Sequence, residues 1–281
     1  FMLTNPPYGT SWKQDMDNLN VGTEKKISIV DTRFNLPLKN FKGEKEITCL
    51  TSRSNDGQLM FMLHMLSKMK DPKDGGSRIA SVHNGSALFT GDAGSGESGI
   101  RQYILENDLL ECIIQLPNDI FYNTGIATYV WIISNAKDEK RKGKVQLINA
   151  SSDIFYRKMR KALGSKRNEL ILEHIDTIQN LYFAFEENEY CKIFDNTDFG
   201  FYQITVHQAE KDVKGKIVTD AKGKPKSDSN MKDIENVPMK ESIAEYFKRE
   251  VQPFAPDAWY DKTKMKVGYE IAFNKYFYQY K

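Results

Sequence analysis

Asn5, Pro6, Pro7 and Tyr8, set between the apolar run Phe1-Met2-Leu3-Thr4 and Gly9, are the residues of this 281-residue chain whose types and spacing best suit chemistry. Asn5 and Pro6 each precede a proline, whose ring clashes with the preceding residue and disfavours helix at both positions. Pro6 and Pro7 hold φ near about −65° and carry no N–H, so a strand that reaches them must leave its sheet. The Pro6 carbonyl is then left without a ladder partner. With the Asn5 side-chain oxygen beside it, two acceptors converge on one point, which suits the two hydrogens of an exocyclic amino group on a nucleobase. Tyr8 adds a π-face for stacking, and Gly9 lets the backbone turn sharply. An ordinary strand-to-loop turn is the competing reading of these residues alone.

Such a loop needs a sheet behind it. Leu59, Met62, Leu63, Leu66 and Met69 recur at helical spacing and predict a helix over 57–70, started by Asn55 and Asp56 and stopped by Pro72, Gly75 and Gly76. Strands are predicted at 78–83, 109–116, 128–134 and 145–149, with a glycine-rich loop at Gly91–Gly99 and a helix over 100–107 between the first two. Helix and strand alternate to about residue 150, which predicts an α/β layer with a mostly parallel sheet, and the near-continuous apolarity of the strands predicts burial on both faces. Beyond Ala150, helices are predicted over 168–187 and 239–251, around a lysine-rich mobile loop at about 211–233, before an unusually aromatic segment, Val267–Tyr280. The expected division is therefore 1–150 as an α/β unit and 151–281 as a mainly helical extension.

Composition narrows the class. Hydrophobic residues at 40% and charged residues at 28% are those of a globular protein, and Ile126–Ile133, the longest apolar stretch, is too short to cross a bilayer. Cys49, Cys112 and Cys191 are odd in number and far apart, which favours reduced thiols and a cytoplasmic setting. His64, His83, His174 and His207 are equally scattered, and neither residue type predicts a metal site. A net charge of +2 predicts weak nucleic-acid binding by this chain alone. Two basic clusters stand out, Lys137–Lys144 and Tyr156–Arg167. In the second, Arg157, Lys158, Arg160, Lys161, Lys166 and Arg167 are the better candidates for DNA contact, with a solvated face as the alternative for both.

The order of segments resembles the modification subunit of type I restriction-modification systems, an adenine-N6 DNA methyltransferase. The resemblance rests on NPPYG at Asn5–Gly9, DTRFNLP at Asp31–Pro37, DGQLMFMLHMLSKMK at Asp56–Lys70, GGSRIASVHNG at Gly75–Gly85, the long run Ile100–Ile126, LGSKRNEL at Leu163–Leu170 and VGYEIAFNKYFYQY at Val267–Tyr280. It implies the C-terminal part of a class I methyltransferase fold, with Phe1–Asn5 as the fourth strand of seven, and S-adenosylmethionine as methyl donor. It also implies double-stranded DNA as substrate, and assembly with a DNA-reading specificity subunit and a translocating restriction subunit. Carried onto this sequence, its catalytic motif is Asn5, Pro6, Pro7 and Tyr8.

The family's donor-binding glycine motif lies upstream of NPPY, so this chain is expected to be an excerpt of a longer polypeptide whose 281 residues alone bind no donor. Gly91, Gly94 and Gly96 form a G-x-x-G-x-G pattern, but it follows Ala87-Leu88-Phe89 rather than a buried first strand, and it is read as a surface loop with a ligand contact left open. NPPY enzymes acting on ribosomal RNA or a protein glutamine amide are disfavoured by the long matching tail after Ala150. A non-catalytic module docking a specificity subunit through its aromatic C-terminal segment is the alternative of a different class.

Overall fold

A computed structural model describes residues 1–23, 27–122 and 124–278. The chain opens with β1 (Met2–Thr4), α1 (Lys13–Leu19) and a hairpin of β2 (Asn35–Lys39) and β3 (Lys45–Cys49). Next come α2 (Gln58–Leu66), β4 (Arg78–Asn84), α3 (Ser86–Phe89) and α4 (Gly96–Glu106). Then follow β5 (Leu110–Gln115), β6 (Thr128–Ser134), β7 (Lys144–Asn149), a hairpin of β8 (Arg157–Leu163) and β9 (Lys166–Glu169), α5 (Leu172–Ala184) and β10 (Cys191–Asp195). The rest comprises β11 (Gly200–His207), β12 (Asp233–Pro238), α6 (Ile243–Tyr246), β13 (Trp259–Tyr260), β14 (Lys266–Tyr269) and α7 (Phe273–Tyr276). Gln279 and Tyr280, the end of the expected aromatic segment, lie outside the described residues.

The main sheet has the order β1-β4-β6-β5-β7-β10. β1 pairs parallel with β4 and β5 parallel with β7, whereas β6 runs antiparallel to both its neighbours and β10 antiparallel to β7. β1, β4, β5 and β7 thus share one direction, and the expected α/β class holds. A bulge between Leu110 and Cys112 shifts the register of β5, and alternation from Cys112 onward explains the burial on both faces. Leu110 and Ile113 join Trp131, Ile133, Met62, Leu63, Ile100 and Ile104 in one apolar cluster, while Cys112 and Ile114 join Ile148, Phe155 and Ile178 in another. Each such fully buried side chain contributes roughly 1.5–3 kcal/mol. At one edge, β1 leaves Leu3 82% exposed.

The extension after residue 150 is not mainly helical. β10 adds to the main sheet, and β11 is the spine of a second sheet, with β12 on one side and β13 and β14 pairing along its other edge. The reason is a period-2 pattern in the second half of β11, which buries Ile204 and Val206 and half-exposes Gln203, Thr205 and His207. The helical spacing expected from Ile171 to Phe185 holds only for α5. Ile171 is its N-cap, and Phe185 ends it with a left-handed φ of 52°. In the segment 239–251, α6 is four residues long and continues as a π-turn at Phe247–Val251. The lysine-rich segment is organised as well. Asp212 accepts from the N–H groups of Lys214 and Lys216, Asp220 from those of Lys222 and Lys224, and short bridges join Ala209 to Ser227 and Thr219 to Pro225.

Candidate functional site

β1 delivers the chain to Asn5, and the two prolines turn it off the sheet edge as their chemistry requires. Asn5, Pro6, Pro7 and Tyr8 then line one open cleft of about 890 Å³. Asn84, at the end of β4, shares its wall with Phe121, Tyr122 and Thr124 from the segment between β5 and β6. All four motif residues predicted from sequence are therefore brought together. Among the described residues nothing hydrogen-bonds to Asn5 Oδ1 or to the Pro6 carbonyl, so neither acceptor is taken by the protein; Asn5 is exposed and Pro6 is buried at the base of the loop. Tyr8 is half-buried, and burial raises its phenol above the usual tyrosine range, which keeps it neutral.

What holds the loop is a polar network that no sequence pattern announces. The segment Thr51–Gln58 clasps the loop by its backbone. The Trp12 N–H donates to Ser54 O at 2.9 Å and the Trp12 indole to Arg53 O at 2.9 Å, while the Gly57 N–H donates to Thr10 O at 3.2 Å. Asp56, whose sequence signal is only that of a helix start, accepts the Gly9 N–H on Oδ1 at 3.1 Å. Its Oδ2 accepts from Gln58 Nε2 at 2.7 Å and from Ser86 Oγ at 2.9 Å. Gln58 Nε2 also donates to Asn84 Oδ1 at 2.8 Å, so one carboxylate links the motif loop, the start of α2 and the cleft wall.

His83 is the buried anchor beneath this network. Its ring nitrogens meet Ser81 Oγ at 2.8 Å and Gln58 Oε1 at 3.0 Å, and burial pulls its pKa down to about 3 against the opposing pull of the Asp56 carboxylate. An unfolded histidine takes up its proton near about 6.5. Below that pH the unfolded chain binds a proton that the folded chain refuses, so stability is full above about 6.5 and falls as pH drops toward 3. The expected loss is about 2 kcal/mol at pH 5. His207, also lowered by burial, acts with the same sign. Urea unfolding of wild type and His83→Gln at pH 7 and pH 5 isolates the His83 share, and equal pH dependence in the two would refute it.

The family described as N-6 DNA Methylase matches this chain over residues 1–208. The chain belongs to that family. Family membership and the sheet order together bear out the expected class I methyltransferase fold. Among curated relatives, the chain is 34% identical over 115 residues to the type I restriction enzyme MjaVIII methylase subunit of Methanocaldococcus jannaschii, a match that covers 41% of this chain and 19% of that protein. It is 26% identical over 172 residues to the type I restriction enzyme MpnII methylase subunit of Mycoplasma pneumoniae, covering 61% and 26%. Among solved structures, a type I restriction-modification methyltransferase subunit from Streptococcus thermophilus aligns with a TM-score of 0.49 at 25% identity, over 70% of this chain and 34% of that one. The chain thus spans about a fifth to a quarter of the length of these curated relatives.

At Gly96 and Gly99 the glycine-rich segment does not fit a donor-binding cradle. Its second half is not loop but the first turn of α4, which Ser95 caps by accepting the Ser98 N–H. A Cβ on Gly96 would lie 1.7 Å from the Thr51 carbonyl oxygen, and one on Gly99 2.6 Å from Leu50 Cδ2. These glycines let α4 press against the 50–51 backbone, and the space a side chain would fill is already occupied by protein. No donor contact is assigned to them.

The basic candidates separate by structure. Arg157, Lys158, Arg160, Lys161, Lys166 and Arg167 all lie on the β8–β9 hairpin, beside the cleft rather than in it. The other cluster is committed to the protein. Lys137 donates to Asp108 at 2.6 Å, Lys144 pairs with Asp195, and Arg141 is buried against Glu111, Gln146 and the Tyr182 carbonyl. Phe121, Tyr122 and Asn84 are the lining residues that sequence reasoning did not single out. Exposed aromatics between two buried strands were the available signal, for Tyr122 is 62% exposed.

Proposed function

We propose that this chain supplies the adenine-binding side of an adenine-N6 DNA methyltransferase, the modification subunit of a type I restriction-modification complex. The observation that carries the reading is the single cleft in which Asn5, Pro6 and Tyr8 meet with both acceptor oxygens unengaged. Relatives named as type I restriction enzyme methylase subunits support the substrate class. In this reading a duplex adenine leaves its stack, at a cost of a few kcal/mol, and enters the cleft. Tyr8 stacks on it. Asn5 Oδ1 and the Pro6 carbonyl accept the two amino hydrogens, favour a pyramidal nitrogen and stabilise the positive charge that grows there as the methyl arrives, so they act mainly in the transition state. S-adenosylmethionine is the donor this family reading implies, and none of the residues described here is assigned to it. Double-stranded DNA, a specificity subunit and a restriction subunit are the partners proposed, in the cytoplasm. Among the described residues no helix is long and apolar enough to cross a membrane.

The test is transfer of a labelled methyl group to duplex DNA by the natural protein with its specificity subunit, followed by nucleoside analysis. Label on adenine N6 is expected. Label on cytosine or on protein, or none, overturns the reading, and none would favour the non-catalytic assembly module. Tyr8→Ala should lose about 1–3 kcal/mol of stacking, seen as a roughly 5- to 150-fold fall in kcat/KM, whereas Tyr8→Phe should stay close to wild type.

A further inference from the structure

We propose that the β8–β9 hairpin is a phosphate-binding arm for duplex DNA, docked rigidly on the cleft wall so that the phosphates it holds set which nucleotide faces the cleft. The proposal rests on the adenine-methyltransferase reading above. Between Arg157 and Arg167 there are six basic residues and no acidic one, in a chain whose net charge is only +2. Arg157 is paired with Glu169 at 2.8 Å. Lys158, Arg160, Lys161, Lys166 and Arg167 form no ion pair among the described residues, in contrast to Lys137 and Arg141, which are buried against Asp108 and Glu111, and to Lys142 and Lys144, which pair with Glu139 and Asp195. Uncompensated charge on an exposed hairpin repels itself, and an external polyanion is what relieves it. A strand of this length extends roughly 20 Å, enough to follow several phosphates at one charge per about 3.4 Å of each DNA strand.

The second observation is the docking. The Ser165 N–H donates to the Tyr122 carbonyl at 3.1 Å, and the Arg167 and Asn168 N–H groups both donate to Asp119 O, at 2.9 and 3.1 Å. Asn168 Nδ2 adds a bond to Asn118 O at 2.9 Å. Tyr122 lines the cleft, so the arm is hydrogen-bonded to the wall of the pocket itself. Gly164, with φ of 60°, makes the approach feasible, for a Cβ there would lie 3.1 Å from Tyr122 O. Phosphate contacts fix register and orientation without reading sequence, and this is the role the geometry gives the arm.

The experiment measures binding of the natural protein, assembled with its subunits, to one duplex DNA across a range of salt, together with methyl transfer at saturating DNA. Replacing Lys158, Arg160, Lys161 and Lys166 together by glutamine should flatten the slope of log K against log salt by about 0.9 for each phosphate the arm no longer neutralises, up to about 3.6 in all. The same four-charge change at Lys214, Lys216, Lys222 and Lys224, which line no part of the cleft, should leave the slope unchanged. Gly164→Val keeps every charge but displaces the arm from Tyr122, and should lower methyl transfer at least tenfold with the slope intact. An unchanged slope in the hairpin variant, an equal flattening in the 214–224 variant, or full transfer by Gly164→Val overturns the arm. A protein with a hairpin-dependent slope that methylates nothing would overturn the proposed function and leave the arm standing.

Discussion

Asn5→Ala is expected to lower methyl transfer roughly 10²- to 10³-fold while duplex binding by the complete assembly stays at wild-type strength. The magnitude follows from what the side chain does. Adenine's amino lone pair is delocalised into the ring, so the nitrogen becomes nucleophilic only as it pyramidalises, and its charge rises from near zero toward +1 at the transition state. An acceptor already fixed in place stabilises that change without reorganising, and losing one preorganised partner of this kind costs about 2.7–4 kcal/mol. Ground-state affinity is set mainly by phosphates, so binding should not register the loss. Asn5 is exposed and makes no hydrogen bond with the described residues, so its removal should not unfold the protein. Single-turnover transfer and equilibrium binding, measured on the same preparation, separate the two quantities. Comparable losses in both would mean that Asn5 holds the base rather than activates it, and undiminished turnover would remove it from the chemistry.

The motif was legible because its physics is local. Two consecutive prolines dictate where the strand ends, and their neighbours dictate which oxygens are left over, so Asn5 to Tyr8 could be placed in a cleft without knowing its other wall. β5, β6 and β7 were legible for a related reason, since a strand buried on both faces shows as a near-continuous apolar run. β6 matches its predicted bounds of 128–134. The rest was not local. Asp56 and Gly9 are 47 residues apart, and no periodicity links a helix-start aspartate to a glycine N–H across the fold. Phe121 and Tyr122 stand in a turn, where exposed aromatics carry no period. The second sheet is not legible in the sequence because its signal is shared among four separated stretches. β11 alternates, but β12 and β14 are short and polar enough to pass for loop. The glycine-rich segment misleads in the other direction. Its spacing resembles a ligand cradle, and only the 1.7 Å that would separate a Cβ at Gly96 from the Thr51 carbonyl reveals that close helix packing is what this glycine serves.

The second large effect should come from Asp56, which touches no substrate in the proposed reaction and is a positioning residue. Its carboxylate accepts from the Gly9 and Gln58 N–H groups, from Gln58 Nε2 and from Ser86 Oγ. Bonds to an ionised acceptor are worth about 1.5–3 kcal/mol each, and they overlap here, so Asp56→Ala should destabilise the fold by about 4 kcal/mol in urea unfolding. Stability alone would not single out a positioning role. The discriminating measurement is kcat against KM well below the unfolding transition. Without the Gly9 bond the loop loses the restraint that aims the Asn5 and Pro6 oxygens, and about 1 Å of misplacement costs on the order of 100-fold in rate. KM, governed by phosphate contacts, should hold. Asp56→Asn keeps one oxygen for Gly9 but turns an amide N–H₂ toward Gln58 Nε2 and Ser86 Oγ, donor facing donor at the first of them. It should therefore recover much of kcat and little of the stability. If both variants lower stability and leave kcat untouched, the motif loop is held by its prolines and the Trp12 clasp alone, and the network under it serves only the fold.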